Sequence, residues 1–395
     1  MNLEEEPSFR DLFKRSLNPA SILKELNALT GFSFENDSLL FIDEIQACPE
    51  ALTSLRYFYE KMPQQKVIAA GSLLDFVLEE ISFPVGRIQS LYMFPMCFSE
   101  FLGAVKGKDF RNRFEVLDFL QPVPTLVHEE LNYLLNLYFR IGGMPKVVNR
   151  YIESGALPDV AKEQRGILAD YLDDINKYSK RISWEALQTV FLKLPSTTLR
   201  SNINLSKLGE GLRAEKVKAA LRLFELAHLI NRINSSNARR PPLEGMLDEG
   251  RFRYSYLDIG LLQSSLGYDW SKFSSKDDLL EVYEGVLAEQ FVAQELLCSK
   301  DPFSRPRLFY WDRSARGAEA EVDFLLQGNN KIYPIEVKNS AKGRLKSLHM
   351  YMQEYGSKQG IILCQRNVEV QDNLKWVPLY AAGKLYEMLG SQFAI

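Results

Sequence analysis

Two short apolar segments separated by a turn are the feature that most constrains the fold of this chain. The first runs from Glu321 to Leu326 and the second from Ile332 to Val337, with Gly328-Asn329-Asn330 between them. Alternating apolar residues on both sides of a turn that contains glycine and asparagine are typical of a β-hairpin. The sequence therefore predicts two neighbouring antiparallel strands in this region.

The predicted hairpin carries four charged side chains that can converge. Residues two apart on a strand share a face, so Glu321 lies with Asp323, and Glu336 lies with Lys338. If the register aligns the two pairs, carboxylates and a lysine meet on one surface. In metal-dependent phosphodiesterases, carboxylates hold Mg²⁺, the ion prepares a water molecule, and a lysine steadies the nucleophile or the phosphate. The pattern predicts a site of this kind.

Further predicted elements surround the hairpin in an αβββαβ order, beginning at about residue 275. They are Leu279 to Leu297, Leu308 to Trp311, Glu321 to Leu326, Ile332 to Val337, a helix near Lys346 to Tyr355, and Gly360 to Leu363. With Asp323 and the Glu336-Val337-Lys338 tripeptide, this order resembles the PD-(D/E)xK nuclease superfamily. The resemblance implies Mg²⁺ ligands at Asp323, at Glu336 and at Glu289 of the preceding helix. It also implies a catalytic role for Lys338.

Local charge is consistent with DNA as a partner. The chain has 48 Lys+Arg and 51 Asp+Glu, so any affinity for nucleic acid must come from a local basic surface. Between residues 305 and 346, nine basic and five acidic residues give a local net charge of +4. The predicted phosphate path consists of Arg305, Arg307, Arg313, Arg316, Lys342, Arg344 and Lys346. The alternative is a solvated rim around a domain without nuclease activity.

A second acidic motif lies near the amino-terminal end. Residues 39–44, Leu-Leu-Phe-Ile-Asp-Glu, form a predicted buried strand that ends in two carboxylates. In P-loop ATPases, the aspartate at this position orients Mg²⁺ and the glutamate activates the attacking water. A helix follows Pro49, and a second predicted buried strand, Val67 to Ala70, ends at Gly71-Ser72. This alternation predicts an α/β arrangement up to about residue 105.

Several further motifs occur in the order seen in one family. They are Gly71-Ser72, Gly86-Arg87, Phe94-Pro95-Met96-Cys97-Phe98-Ser99-Glu100-Phe101, Gly142-Gly143-Met144-Pro145, Asp173-Asp174-Ile175 and Tyr256-Leu257-Asp258-x-Gly260. With the Walker B-like Asp43-Glu44, the chain resembles prokaryotic AAA-type ATPases with an AAA_14-like core and a carboxy-terminal domain of unknown function 4143. The resemblance implies that Asp43 and Glu44 are catalytic. It further implies that Ser72 and Arg87 are nucleotide-binding or sensor residues, with ATP and Mg²⁺ as the family's ligands.

The chain departs from this family at the Walker A loop. No GxxxxGK[ST] motif, whose backbone N–H groups and lysine cradle the nucleotide phosphates, occurs in the sequence. We therefore expect weak or absent ATP hydrolysis by the chain as printed. Two explanations are open: a gene start assigned too late, or a shortened relative that does not hydrolyse ATP.

The middle of the chain is predicted to be mostly helical. Leu205 to Leu208 leads to apolar residues at helical spacing that end at Leu229-Ile230, which resembles the helices of a winged helix. That motif would place Lys216, Lys218 and Arg222 against DNA. The alternative is a helical scaffold with a solvated basic edge. The following residues, Arg-Arg-Pro-Pro at 239–242, are predicted to form a loop.

The predicted fold class is therefore α/β with three domains. These are a truncated P-loop (AAA-type) core at 1–105, a helical lid and winged-helix-like region at 106–270, and an αβββαβ nuclease-like domain at 271–395. No apolar run reaches the roughly 18 residues of a membrane helix, and the first residues are acidic, so we expect a cytoplasmic protein without a membrane partner. The four cysteines lack CxxC spacing, which argues against a zinc or redox site.

Three functions are consistent with these patterns. The first is an AAA-type ATPase family protein with a nuclease-like carboxy-terminal domain that associates with DNA. The second is a Mg²⁺-dependent DNA nuclease in which the amino-terminal core is a scaffold. The third is a non-enzymatic regulatory or assembly protein, with a second copy of the chain or another protein as its partner.

Overall fold

The computed structural model describes residues 1–34, 37–71, 74–78, 86–177, 182–199, 203, 205–267, 284–315, 318–338 and 345–390. The chain divides into two units, Met1–Leu91 and Tyr92–Ile395. Among the helices of these described ranges, none is both long and apolar enough to cross a lipid bilayer.

The first unit contains two parallel strands. β1 (Leu39–Ile42) pairs with β2 (Lys66–Ala69), and Leu40 lies opposite Val67. The helices of the unit are α1 (Pro7–Arg15), α2 (Pro19–Thr30), α3 (Pro49–Lys61) and α4 (Leu74–Leu78). The two strands and the helix between them confirm the predicted element order of this region.

These two strands bury one face and not both. Leu40 and Ile42 belong to the core that α1, α2 and α3 also build. Leu39, Phe41 and Ile68 are 44–51% exposed. The prediction of buried strands therefore holds for one face of β1 only, because the helices of this unit form a single core on the side of Leu40 and Ile42.

Helices dominate the first part of the second unit, as predicted. They are α5 (Phe98–Lys106), α6 (Lys108–Glu115), α7 (Thr125–Ile141), α8 (Pro145–Ser154), α9 (Leu157–Lys177), α10 (Trp184–Lys193), α11 (Leu205–Leu208), α12 (Ala214–Leu226) and α13 (Ile259–Ser265). Two strands that the sequence did not predict interrupt this region, β3 (Ile230–Ser236) and β4 (Leu247–Tyr256). The prediction of a helical region up to about residue 270 is wrong here. The chain leaves the helix at His228, which has a φ of 54°, and β3 begins at Ile230. The predicted loop at 239–242 lies between β3 and β4.

The carboxy-terminal elements follow the predicted αβββαβ order. They are α14 (Glu284–Cys298), β5 (Leu308–Ala315), β6 (Ala318–Gly328), β7 (Lys331–Val337), α15 (Lys346–Tyr355) and β8 (Gly360–Cys364), followed by β9 (Glu369–Gln371), β10 (Leu374–Pro378) and α16 (Leu385–Gly390). One eight-stranded mixed sheet has the order β4-β3-β5-β6-β7-β8-β10-β9. Two of its strands, β3 and β4, precede residue 271, where the predicted third domain begins.

β6 and β7 form the predicted hairpin. Gly328 pairs with Lys331, and the two loop residues Asn329 and Asn330 have φ values of 49° and 59°. Positive φ at both positions is the signature of a type I′ turn, whose twist matches that of the strands. The turn fixes a register in which Phe324 lies opposite Ile335. The ladder ends at this pair, and beyond it Val337 N donates a hydrogen bond to the side chain of Asp323, which brings Asp323 beside the end of β7.

The side chains of the hairpin point to two faces of the sheet, of which one carries α15 and the other carries α14. Val322 shares a core with Trp311 and with Tyr351 of α15. Since neighbouring residues of a strand point to opposite faces, Glu321 and Asp323 point away from that core. α14 contacts β4, β5 and β7. The charged residues of the hairpin thus lie on the face that carries α14.

Candidate functional site

The hairpin brings together Asp323, from the middle of β6, and Glu336 and Lys338, from the carboxyl end of β7. The backbone N–H of Val337 donates a hydrogen bond to Asp323 Oδ2 at 2.7 Å. Lys338 Nζ lies 2.6 Å from Glu336 Oε1. Glu336 is 5% exposed, and its second oxygen, Oε2, is buried without a hydrogen-bond partner in the described structure. The predicted carboxylates and lysine therefore do converge.

A buried arginine joins this cluster from β4. Arg253 is 1% exposed, and its Nη1 forms an ion pair with Glu321. The same nitrogen lies 3.6 Å from Oε2 of Glu289 on α14. Nη2 donates a hydrogen bond to the backbone carbonyl of Asp323. The guanidinium also lies over the Tyr310 ring, 4.3 Å from its centroid. Glu289 is thus placed beside the hairpin, as predicted, but next to an arginine.

Burial raises the pKa of the carboxylates in this cluster. It is the largest cause for Glu289, whose pKa is raised well above its usual range, and the charge of Asp323 adds to the effect. Burial raises the pKa of Asp323 as well. Burial and the charge of Asp323 raise the pKa of Glu336 to about 7. A cation among these groups would favour their charged forms.

Two opposing effects act on the pKa of Lys338. Burial by itself lowers the pKa of its ammonium group, but the hydrogen bond and charge of Glu336 raise it, and the net direction is upward. The side chain therefore stays positively charged near neutral pH, at a point where it can contact an anion. This is the state that a role in holding a phosphate requires.

The donor set suits a hard divalent cation in part. Asp323 and Glu336 offer carboxylate oxygens, which Mg²⁺ prefers, and the unpartnered Oε2 of Glu336 is a free acceptor. Within the described ranges, no group of three or more His, Cys, Asp or Glu side chains is arranged to hold a metal ion. Two carboxylates are the set that fits, and Glu289 is engaged by Arg253.

The predicted phosphate path is described only in part. Arg305, Arg307 and Lys346 are exposed, and Arg313 Nη1 lies 3.0 Å from Glu354. The remaining members, Arg316, Lys342 and Arg344, lie outside the described residues. On α12, the predicted DNA-facing residues Lys216, Lys218 and Arg222 are also exposed.

The amino-terminal motif lies at the carboxyl end of β1. Asp43 N donates to Met1 O at 2.8 Å, and Leu3 N donates to Asp43 O at 3.0 Å. Asp43 Oδ1 accepts a hydrogen bond from Glu44 N at 3.0 Å. Glu44 has a φ of 52°, and its carboxylate accepts from Gln46 Nε2 at 2.5 Å. The two carboxylates thus follow the strand at the predicted place.

Of the two predicted sensor residues, Ser72 and Arg87, the structure describes Arg87. Gly71 is closely packed after β2, since a Cβ there would lie 2.2 Å from Gln46 Oε1. Ser72, the next residue, lies outside the described part of the chain. Arg87 is described, and its Nε lies 2.6 Å from Glu60 Oε1 on α3.

Three of the sequence motifs meet in a buried network of the second unit. Asp258, which is fully buried, accepts hydrogen bonds from Gly143 N at 2.6 Å and from Leu261 N at 2.9 Å. A Cβ on Gly142 would lie 2.2 Å from Asp258 Oδ1. Tyr138 OH donates to Met96 O at 2.6 Å, and Gln294 Nε2 bridges Tyr138 and Asp258. These motif residues hold the fold together.

Sequence reasoning missed Arg253. It lies in a region that was predicted to be helical, and a single arginine between aromatic residues carries no motif. The available signal was the run Phe252 to Tyr256, whose aromatic residues alternate as in a strand. That alternation predicts β4, but it does not predict the partner of the arginine.

Three parts of the chain are similar to known protein domains. Residues 1–102 match the model of an AAA domain, AAA_14, and residues 284–382 match the domain of unknown function DUF4143. Residues 132–272 match a further domain of unknown function, DUF8612. No curated protein matches the chain. Among solved structures, the chain is similar to protein VC1899 from Vibrio cholerae at 10% identity, covering 94% of this chain and 81% of that one, with a TM-score of 0.20 that is too low to indicate a shared fold. The amino-terminal part of the chain is thus similar to an AAA domain, and most of the carboxy-terminal part is similar to DUF4143.

Proposed function

We propose that the carboxy-terminal domain is a nuclease-like domain that uses Mg²⁺ to hydrolyse phosphodiester bonds in DNA, within an AAA-type ATPase family protein. The observation that carries the proposal is the convergence of Asp323, Glu336 and Lys338 on one face of the β6–β7 hairpin. The αβββαβ order around them supports the resemblance to the PD-(D/E)xK superfamily.

Each side chain of the site has a role in this chemistry. Asp323 and Glu336 would hold the ion through carboxylate oxygens. When bound, Mg²⁺ supplies a polarised water and charge compensation at the phosphate. Lys338, whose Nζ lies 2.6 Å from Glu336 Oε1, would contact a phosphate oxygen or the attacking water through its ammonium group. The backbone N–H of Val337 fixes the orientation of the Asp323 carboxylate.

Exposed basic residues supply the expected attraction for DNA. Arg305, Arg307 and Lys346 lie on the same domain as the candidate site, and Lys216 and Lys218 lie on α12. Contacts of this type neutralise phosphates and depend on salt, because each contact releases a counterion from the nucleic acid. We expect binding to be independent of sequence and to weaken as salt is raised.

A cleavage assay tests the proposal. The chain is incubated with single- and double-stranded DNA in Mg²⁺ or Mn²⁺, with chelator as the blank. We expect metal-dependent cleavage that Glu336→Gln abolishes, since the amide is a poorer ligand for a hard cation. Glu354→Gln, on α15 and paired with Arg313, is the matched control and should cleave normally. Cleavage that survives Glu336→Gln would contradict the proposal, and the absence of any cleavage would favour a regulatory or assembly role.

ATP hydrolysis is a second candidate function, because Asp43 and Glu44 follow β1 as in a Walker B strand. The printed chain has no Walker A motif to supply several N–H contacts to the phosphates. We therefore expect ATP to bind with a Kd weaker than about 100 μM. Calorimetry checks this expectation, with Asp43→Asn as the variant. Low-micromolar affinity that Asp43→Asn abolishes would show that the chain has a working nucleotide site.

A further inference from the structure

We infer that the guanidinium of Arg253 neutralises the carboxylates of Glu289 and Glu321. The cluster therefore binds a single divalent ion, through Asp323 and Glu336. The inference rests on the proposed Mg²⁺ site and assigns a positioning role to a residue outside the αβββαβ elements.

The contacts of Arg253 show that its positive charge is paired with acidic groups of this cluster. The side chain is 1% exposed, and an unpaired buried charge would be strongly destabilising. Its Nη1 is shared between Glu321 and Glu289, and its Nη2 binds the backbone carbonyl of Asp323. The Tyr310 ring covers the guanidinium at 4.3 Å. The arginine is therefore held in one place by groups on β5, β6 and α14.

The formal charges of the cluster fit one divalent ion. Four carboxylates face two side-chain cations, Arg253 and Lys338, which leaves two negative charges when all four are ionised. One Mg²⁺ or Mn²⁺ neutralises that remainder. Without the arginine, three negative charges are left, and one divalent ion does not neutralise them.

The contacts also locate the ion. Arg253 engages Glu289, Glu321 and the Asp323 carbonyl, so these groups already have a cation. In the described part of the chain, Lys338 forms an ion pair with Oε1 of Glu336, and Oε2 of Glu336 is buried without a partner there. The unmatched negative charge thus lies between Glu336 and the carboxylate of Asp323, on the side of the hairpin opposite to α15.

Metal stoichiometry tests this role. Mn²⁺ is titrated into the full chain and into Arg253→Met, and the bound ions per chain are counted by calorimetry. We expect one ion for the unmodified chain and two for Arg253→Met, with a larger Mn²⁺-induced rise in Tm for the variant. Arg232→Met is the matched control on the neighbouring strand β3, because Arg232 contacts the Glu249 carbonyl and the Phe252 ring and none of the four carboxylates, and it should bind one ion.

The outcomes separate this inference from the proposed function. If the unmodified chain binds one ion and Arg253→Met also binds one, or if the unmodified chain binds two, the inference is overturned while the Mg²⁺ site stands. If the unmodified chain binds none, both fail. If Arg253→Met does not fold, Arg253→Lys and Glu321→Gln replace it in the titration, and each is expected to bind one ion. A Glu321→Gln chain that binds no ion would show that Glu321 is a metal ligand and would overturn the inference.

Discussion

Lys338→Ala is expected to lower metal-dependent DNA cleavage by about two to three orders of magnitude, the usual cost of removing a group that stabilises charge in the transition state. Mn²⁺ binding should be retained, because the substitution frees Glu336 Oε1 from its 2.6 Å ion pair and leaves both carboxylates in place. The measurement is the initial cleavage rate at saturating metal, together with calorimetry of the metal. The two readouts separate the role of the lysine from the roles of the carboxylates.

Lys331→Ala is the matched control for this prediction. Lys331 is the first residue of β7, the strand that precedes Lys338, and it is exposed and pairs with Gly328 at the turn end of the hairpin. Its removal should leave both cleavage and metal binding unchanged. A Lys338→Ala chain that cleaves at the unmodified rate would remove the lysine from the mechanism. Loss of Mn²⁺ binding in the same variant would assign it a structural role.

Glu295→Gln is expected to stabilise the protein at alkaline pH. Glu295 is 2% exposed, and its Oε1 accepts a hydrogen bond from Phe98 N at 2.7 Å. Burial raises the pKa of this carboxyl to about 8, although the hydrogen bond from Phe98 opposes the shift. Because the folded-state pKa exceeds the unfolded-state value, the folded state binds more protons, and stability falls as pH rises from about 4.5 towards 8.

The amide in Glu295→Gln keeps an oxygen for Phe98 and cannot ionise. The free energy of unfolding at pH 8.5 should therefore exceed that of the unmodified chain by up to about 4 kcal/mol, with the difference vanishing near pH 4. Denaturant titrations at a series of pH values measure this. Glu153→Gln, an exposed position on α8, should change stability by less than about 0.5 kcal/mol at every pH. An unchanged pH dependence in Glu295→Gln would contradict the account.

The part of the site that was predictable from sequence is the part set by local rules. Asp323, Glu336 and Lys338 follow from a period of two along each strand and from an Asn-Asn turn that fixes the register. Glu289, which lies more than 30 residues earlier in the chain, was predicted only from the resemblance to the PD-(D/E)xK superfamily. The relations within the hairpin span few residues, so the local sequence contains the information needed to infer them.

Arg253 was not predictable, because its position depends on long-range pairing. β3 joins the sheet by parallel pairing with β5, more than 70 residues later, and brings β4 with it. Long-range pairings of this kind leave little trace in local periodicity. The exposure of Leu39 and Phe41 was missed for a related reason, since an apolar run does not reveal which of its faces the neighbouring helices cover.

The central claim is that Asp323 and Glu336 form a divalent-cation site, and equilibrium binding of Mn²⁺ to the full chain tests it most directly. Two facing carboxylates without a cation repel each other, so a bound ion should also raise Tm. The account predicts one Mn²⁺ per chain with an accompanying rise in Tm, both lost in Asp323→Ala while the protein stays folded. An unmodified chain that binds no Mn²⁺, or an Asp323→Ala chain that binds it equally well, would contradict the account.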